Sequence, residues 1–337
     1  MAANKSIAID AMGGDGGIEI TLPASLQVLN ENPDLSIFLV GDESRMRPLV
    51  SGAPAGVRDR LNLVPSDAVI GDADRPVNVL RSGKQSSMYL AVELLQSGTV
   101  QAMVSAGNTG ALLMIGRHLL KTIEGIQKPA IVTTIPGATR QSFLLDVGAN
   151  PDCSARQLFE FAVMGSVLAE SLSGEKATVG LLNIGSEQFK GTAEVRAAAA
   201  LMENSEALNY AGFIEANALF EGAADVVVCD GFVGNVMIKA SAGVANVVKS
   251  LLAEQLSKSW LARLSGSSSM LTRLSEQINP HRFNGASLLG LQGSIIKSHG
   301  NATIEGFTYA IAQAEAEIEN AVPQLIAKRV AAIMAAH

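Results

Sequence analysis

Short apolar runs alternate with stretches of helical periodicity along nearly the whole chain. The runs predict strands over residues 6–10, 36–41, 60–64, 102–105, 130–135, 143–147, 178–183 and 225–230. Helical patterns lie between them, over 21–30, 86–97, 110–122, 154–172, 192–204 and 234–264, and again over 303–320 and from Pro323 to Met334. Runs such as Val226-Val-Val-Cys229 lack polar alternation, as strands covered on both faces do. Alternation of strand and helix at this spacing predicts a three-layer α/β/α fold with a mostly parallel sheet, as one domain over 1–337.

Several predicted strands end in a glycine-rich or polar cluster. These are Asp10-Ala-Met-Gly-Gly-Asp-Gly-Gly17, Ser105-Ala-Gly-Asn-Thr-Gly110, Asp146-Val-Gly-Ala-Asn150, Asn183-Ile-Gly-Ser186 and Asp230-Gly-Phe-Val-Gly-Asn235. Open α/β sheets bind ligands beyond the carboxyl ends of their strands, so the five clusters are expected to converge on one edge and one site. In the first cluster, Gly13 and Gly14 beside Asp15 let backbone amides approach an anion closely. Its spacing matches neither a dinucleotide fingerprint nor a P-loop. The second cluster opens a helix. Ser105, Asn108 and Thr109 cap free N–H groups there or bind an oxyanion at the positive helix end, and Gly107 lets that anion come near.

Residues 244–279 break the pattern. Val248, Leu252, Leu256, Trp260 and Leu264 recur every four residues, Ser265-Gly-Ser-Ser-Ser269 interrupts them, and Leu271, Leu274 and Ile278 start a second apolar face. Five basic residues against one Glu between Lys239 and Arg273 stand out in a chain of net charge −7. This is the pattern of a helical hairpin that packs in a dimer interface or on the core, or that lies on an anionic bilayer. The polar stretch 71–85 is either mobile or a cover for the site.

Hydrophobic residues make up 48% of the 337 and charged ones 17%, enough for a full core and against disorder. The acidic balance argues against nucleic acid as a partner. Cys153 and Cys229 are too few for a disulfide framework, which fits a reducing cytoplasm. The four histidines show no metal-ligand spacing, and no hydrolase order of Ser, His and Asp is visible. Cys153 at a helix start remains a thiol nucleophile by position alone. Lys190 and Lys297 are candidates for a phosphate or a developing oxyanion, and His299 for proton transfer. Anion-binding groups without a nucleophile, metal or nucleotide fingerprint fit a reaction in which phosphate itself attacks.

The chain resembles the bacterial phosphate acyltransferases of phospholipid synthesis, the PlsX family. The similar segments are Ile9-Asp-Ala-Met-Gly-Gly-Asp15, Val104-Ser-Ala-Gly-Asn-Thr-Gly-Ala-Leu-Leu113, Lys128-Pro-Ala130, Leu145-Asp-Val-Gly-Ala-Asn150 and Gly180-Leu-Leu-Asn-Ile-Gly-Ser-Glu187 with Lys190-Gly191. Asp230-Gly-Phe-Val-Gly-Asn235, Leu288-Leu-Gly-Leu-Gln-Gly293 and Lys297-Ser-His-Gly300 complete the set, in the family's order; Ile18 stands where the family has proline.

The resemblance implies transfer of a fatty acyl group from acyl carrier protein to inorganic phosphate, with no covalent enzyme intermediate, no organic cofactor and no metal. It also implies a phosphotransacylase-like fold and a homodimer. A peripheral tie to the inner face of the cell membrane follows as well, near the downstream glycerol-phosphate acyltransferase. In that frame Ser105, Gly107, Asn108, Thr109 and Lys297 would bind phosphate, while Lys190, Asn235 and His299 would be catalytic. Asp10, Gly13, Gly14, Asp15, Asp146, Asn150, Asn183 and Asp230 would support them.

Two other enzyme classes stay open. The turn Gly13-Gly-Asp-Gly16 is also that of a lipid or nicotinamide-nucleotide kinase, and a short-chain phosphotransacylase would use coenzyme A as donor. A membrane-bound scaffold for acyl carrier protein is the non-enzyme alternative.

Overall fold

A computed structural model describes residues 5–258 and 284–335. The expected hairpin is seen only in its first arm, and residues 259–283 lie outside the described residues. The described strands are β1 (Lys5–Asp10), β2 (Leu35–Gly41), β3 (Leu61–Pro65), β4 (Ala102–Ser105), β5 (Ala130–Ile135), β6 (Ser142–Leu145), β7 (Thr178–Leu182), β8 (Asn209–Ile214), β9 (Val226–Val228), β10 (Ala286–Leu289) and β11 (Ser294–Lys297). They form one sheet in the order β3-β2-β1-β4-β11-β10-β5-β6-β9-β7-β8.

Helices cover both faces. They are α1 (Ile18–Glu31), α2 (Glu43–Val50), α3 (Ala55–Arg58), α4 (Pro76–Ser82), α5 (Ser87–Gln96), α6 (Thr109–Leu119), α7 (Ala155–Ser173), α8 (Ala193–Glu203), α9 (Ala216–Glu221), α10 (Gly231–Lys258), α11 (Ile304–Glu319) and α12 (Val322–Ala335). The pleat sends alternate side chains to opposite faces. Met103, Ile295, Leu288, Ile131, Leu144 and Val227 point to the layer of α4, α5, α6, α9 and α10. Their neighbours Val104 and Ile296 point to α1, α2, α3 and α11, and Leu289, Val132, Leu145 and Val226 to α7, α8 and α12. The sandwich is therefore the three-layer α/β/α expected.

The sheet is mostly parallel, with an antiparallel centre. β1, β2, β3, β4 and β11 run one way, and β10 turns back by a hairpin from β11. β10 pairs antiparallel with β5, and β5 antiparallel with β6. β6, β9, β7 and β8 then run parallel to one another and opposite to β1. This corrects the expectation of one shared edge. The carboxyl ends of β1, β4 and β11 leave one edge of the sheet, and those of β6, β7 and β9 leave the other.

Strands β8, β10 and β11 are absent from the sequence reading. In Asn209-Tyr-Ala-Gly-Phe-Ile214 a glycine splits the apolar residues, and at the sheet's edge Asn209 and Ala211 are exposed while only Ile214 is buried. β10 and β11 span four residues each and are separated only by Gly290-Leu-Gln-Gly293, so neither stands out as a separate run.

Candidate active site

The first edge gathers three strand ends in register. Ile9 pairs with Val104, so Asp10 lies level with Ser105, and Ser105 pairs with Lys297. Asp10 is buried and accepts hydrogen bonds from the Ser105 hydroxyl and the Ser87 hydroxyl, both at 2.6 Å. Burial raises its pKa, and these hydroxyls and the amides of Met12 and Gly13 offset part of that rise. The Ser105 oxygen in turn accepts from the Gly107 amide at 3.0 Å. Its hydroxyl is thus engaged on both sides, and Ser105 orients Gly107 instead of facing a ligand.

Gly13 is required by close approach. A Cβ on Gly13 would stand 2.6 Å from an Asp10 carboxylate oxygen and 2.7 Å from the Gly107 nitrogen. The first glycine turn therefore packs directly on the β4–α6 loop. It also meets the turn after β11, where the Asp15 amide donates to the Gly300 carbonyl at 2.8 Å.

Asn108 caps α6: its Oδ1 accepts from the Ala111 amide at 3.1 Å. Its Nδ2 is aimed at the carbonyls of Gly71, Asp72 and Asp74, at 3.3, 3.1 and 3.2 Å. Both ends of the amide are committed, so Asn108 latches the 71–74 segment over the start of α6. The polar stretch 71–85 is thus tied to the start of α6 at its front end, and it contains helix α4. Thr109, in the first turn of α6, is the side chain here whose hydroxyl has no hydrogen-bond partner among the described residues.

Lys297 completes the group. Its Nζ donates to the carbonyls of Ala106, at 3.1 Å, and Ser298. An ammonium has three donors, so one remains. Burial pushes its pKa down to about 8, although Asp72, Asp10 and Asp15 pull the other way. His299 is exposed, and its backbone amide donates to Asn284 Oδ1 at 2.9 Å. Asn284 Nδ2 also reaches Ser298 Oγ and the Gly306 carbonyl, both at 2.8 Å.

The second edge holds the other clusters. Asp146 is buried and accepts from the amides of Ile131, Gly148, Ala149 and Asn150 and from the Asn150 side chain. Asn150 Nδ2 donates to the Pro129 carbonyl as well, at 2.8 Å. Asp230 caps α10 by accepting from the Val233 amide at 2.8 Å. Asn235 opens the second turn of α10, against Gly148. Asn183 braces its own loop, with Nδ2 donating to the Lys190 carbonyl at 3.2 Å. Lys190 forms an ion pair with Glu187 at 2.8 Å, which holds that carboxyl below its usual range. The Cys153 thiol, pushed up to about 12 by burial and then by Asp146 and Asp230, stays protonated at neutral pH and is no nucleophile there. Among the described residues no three His, Cys, Asp or Glu side chains gather as a cation would need.

A family model described as a fatty acid synthesis protein matches residues 5–325. A phosphate acyltransferase of Pseudomonas paraeruginosa is 48% identical over 320 residues, which cover 94% of this chain and 95% of the relative. The chain belongs to the phosphate acyltransferase family. The motifs on both edges fall within the matched span. Among solved structures, the EutD phosphotransacetylase from Staphylococcus aureus gives a TM-score of 0.59 at 17% identity, with 94% of each chain covered. A phosphotransacetylase from Streptococcus pyogenes gives 0.58 at 17% identity, with 98% of this chain and 95% of that one covered. At such identity the likeness is one of fold, and the fold is phosphotransacylase-like.

The structure thus unites Asp10, Gly13, Gly14, Asp15, Ser105, Gly107, Asn108, Thr109, Lys297 and His299 on one edge. Asp146, Asn150, Asn183, Lys190, Asp230 and Asn235 stand on the other, and the hydrogen bonds above stay within each group. Ser87 and Asn284 were missed. A serine opening a helix and an asparagine beside a glycine look like ordinary cap and turn residues until their partners, 77 and 14 positions away, are known.

Proposed function

We propose that this protein moves a fatty acyl group from the thioester of acyl carrier protein to inorganic phosphate, giving an acyl phosphate for phospholipid synthesis. The observation that carries the reading is the first-edge group. A half-buried ammonium with a donor to spare is bonded to the Ala106 carbonyl, in the Gly107 loop that leads into the amino end of α6 at Thr109. Helix amino ends and such loops favour a compact anion.

Phosphate is already anionic at neutral pH and attacks the thioester carbonyl directly. The new bond joins phosphate oxygen to acyl carbon, and the carbon–sulfur bond breaks. A thiol of pKa roughly 8.5 leaves without a strong acid. His299, exposed at the same edge, would return the proton to the sulfur. Lys190 and Asn235 would steady the oxyanion from the other edge.

The two edges have a common border that supports this division. Ala111 and Leu112 of α6 share one continuous core with Val147, Leu182 and Cys229, and with Ala149 and Met237 packed on it.

The exposed apolar residues Val244, Val247, Val248 and Leu251 of α10 support the finer assignments. They fit a homodimer carrying this helix at a tip that touches the cytoplasmic membrane peripherally. An acyl phosphate is a labile mixed anhydride, so a glycerol-phosphate acyltransferase consuming it belongs nearby.

The test supplies acyl carrier protein thioester and phosphate without nucleotide or metal. Acyl phosphate and free thiol should appear in equal amounts, and only with phosphate present. Lys190→Ala and His299→Ala should each lower turnover about 100-fold with circular dichroism unchanged. A requirement for ATP, or product formed without phosphate, would overturn the reading.

A further inference from the structure

Each oxygen of the buried Asp10 carboxyl takes one serine hydroxyl. Ser105 of β4 donates to Oδ2, and Ser87, the first residue of α5, donates to Oδ1, both at 2.6 Å. Ser105 is the middle of a chain, because its own oxygen accepts from the Gly107 amide at 3.0 Å. Ser87 stands outside that loop. It comes from another element, is itself 1% exposed, and touches the chain through Asp10. Its neighbour Met88 packs on the same loop, since a Cβ on Gly107 would lie 2.6 Å from the Met88 Cε.

The polarity of the chain depends on the charge of Asp10. An ionised carboxylate only accepts, so both serine protons point at it and Ser105 keeps a lone pair for the Gly107 amide. A protonated Asp10 has a proton to place. The amides of Met12 and Gly13 beside it are donors, so one of the two hydroxyls must take that proton and turn its own away. Without Ser87 the burden falls on Ser105, whose turned proton then competes with the Gly107 N–H for the free side of one oxygen. Burial favours the neutral acid, and the two hydroxyls oppose it. Nearby charge gives limited help. Lys297 of β11 is shared among Asp72, Asp10 and Asp15, and β2 pairs the uncharged Val40 with Asp10.

We infer that Ser87 is a positioning residue for phosphate binding, which by donating to Asp10 keeps the Asp10–Ser105–Gly107 chain in the order that fixes the loop before α6. The inference rests on the proposed reaction and adds to it a residue from outside the phosphate loop. What the loop presents are the amides of Thr109 and Gly110, which have no backbone acceptor among the described residues.

Steady-state kinetics at acid, neutral and mildly alkaline pH compare the parent with Ser87→Ala and with the near-isosteric Ser87→Cys, whose S–H is a weak donor. The loop is lost as pH falls through the Asp10 pKa, and removing a donor to the carboxylate raises that pKa, so the loss begins at higher pH. KM for phosphate in Ser87→Ala should therefore exceed the parent's about tenfold at the acid end, and the ratio should fall toward one at the alkaline end. Ser87→Cys should shift the same way by less, and it carries the test if Ser87→Ala does not fold. Titration of phosphate itself is common to all variants and cancels in the ratio. In a Ser105→Ala background, where Asp10 no longer reaches Gly107, Ser87→Ala should add less than about twofold.

An unchanged KM in both variants overturns the inference. So does a loss equal at every pH, which is packing alone, or one that adds in full to Ser105→Ala. Hydrogen exchange without substrates reads the loop independently of turnover. The Gly107 amide should exchange faster in Ser87→Ala than in the parent at the same acid pH, with the interior of α6 unchanged. That result keeps Ser87 as the residue positioning the loop even if acyl phosphate never forms, which would sink the reaction alone.

Discussion

Lys297 shows how one side chain takes its character from what the fold stacks around it. Its ammonium is held near two carbonyls in a half-buried position, and its pKa falls from 10.5 to about 8. KM for phosphate should therefore rise as pH passes about 8, and Lys297→Arg should flatten that rise, because a guanidinium keeps its charge. The stability sign is opposite. Folding lowers this pKa, so the burial penalty is full below about pH 8 and is relieved as pH climbs toward 10.5. Steady-state kinetics and thermal melts over pH 7–10 would read both effects separately. The motif Lys297-Ser-His-Gly300 was legible as a candidate anion site. That Ser105 and Asn108 spend their polar atoms on Asp10, Gly107 and the 71–74 carbonyls was not legible. Those partners lie up to 95 positions away in the sequence.

Helix α10 shows how tightly an element's start is set. A Cβ on Gly234 would lie 1.9 Å from the Asp146 carbonyl oxygen, whereas one on Gly243 meets nothing within 4 Å. Gly234→Ala should cost about 2–3 kcal/mol in denaturant unfolding by forcing the first turn away from the β6 loop. Gly243→Ala should stabilise the same helix by up to about 1 kcal/mol. Equal effects at the two positions would mean that the first turn does not dock on Asp146. The long helices and the buried strands β1, β2, β5 and β7 were readable from their periods. The short helices α2, α3, α4 and α9 were not, since four to eight residues complete only one or two turns.

At the scale of the molecule, the antiparallel centre β11-β10-β5-β6 decides the layout of the site. It reverses the second parallel half, so the residues proposed to hold phosphate and those proposed to polarise the carbonyl arise from opposite strand ends. Hydrogen exchange with inorganic phosphate alone should slow amides in residues 10–17, 105–110 and 297–300. The loops 183–191 and 230–235 should keep their rates. Protection confined to those two loops would move the anion site to the second edge.

Apolar periodicity and glycine-bearing loop motifs suffice to specify a layered α/β chain with anion-binding turns, because burial and close backbone approach leave local signatures. Strand direction leaves none. A strand reads the same whichever way it enters the sheet, so the antiparallel pairing of β10 with β11 and β5, and of β5 with β6, leaves no mark in the sequence. Which clusters share an edge, and which polar atoms remain free for a ligand, were therefore decided only when distant segments paired.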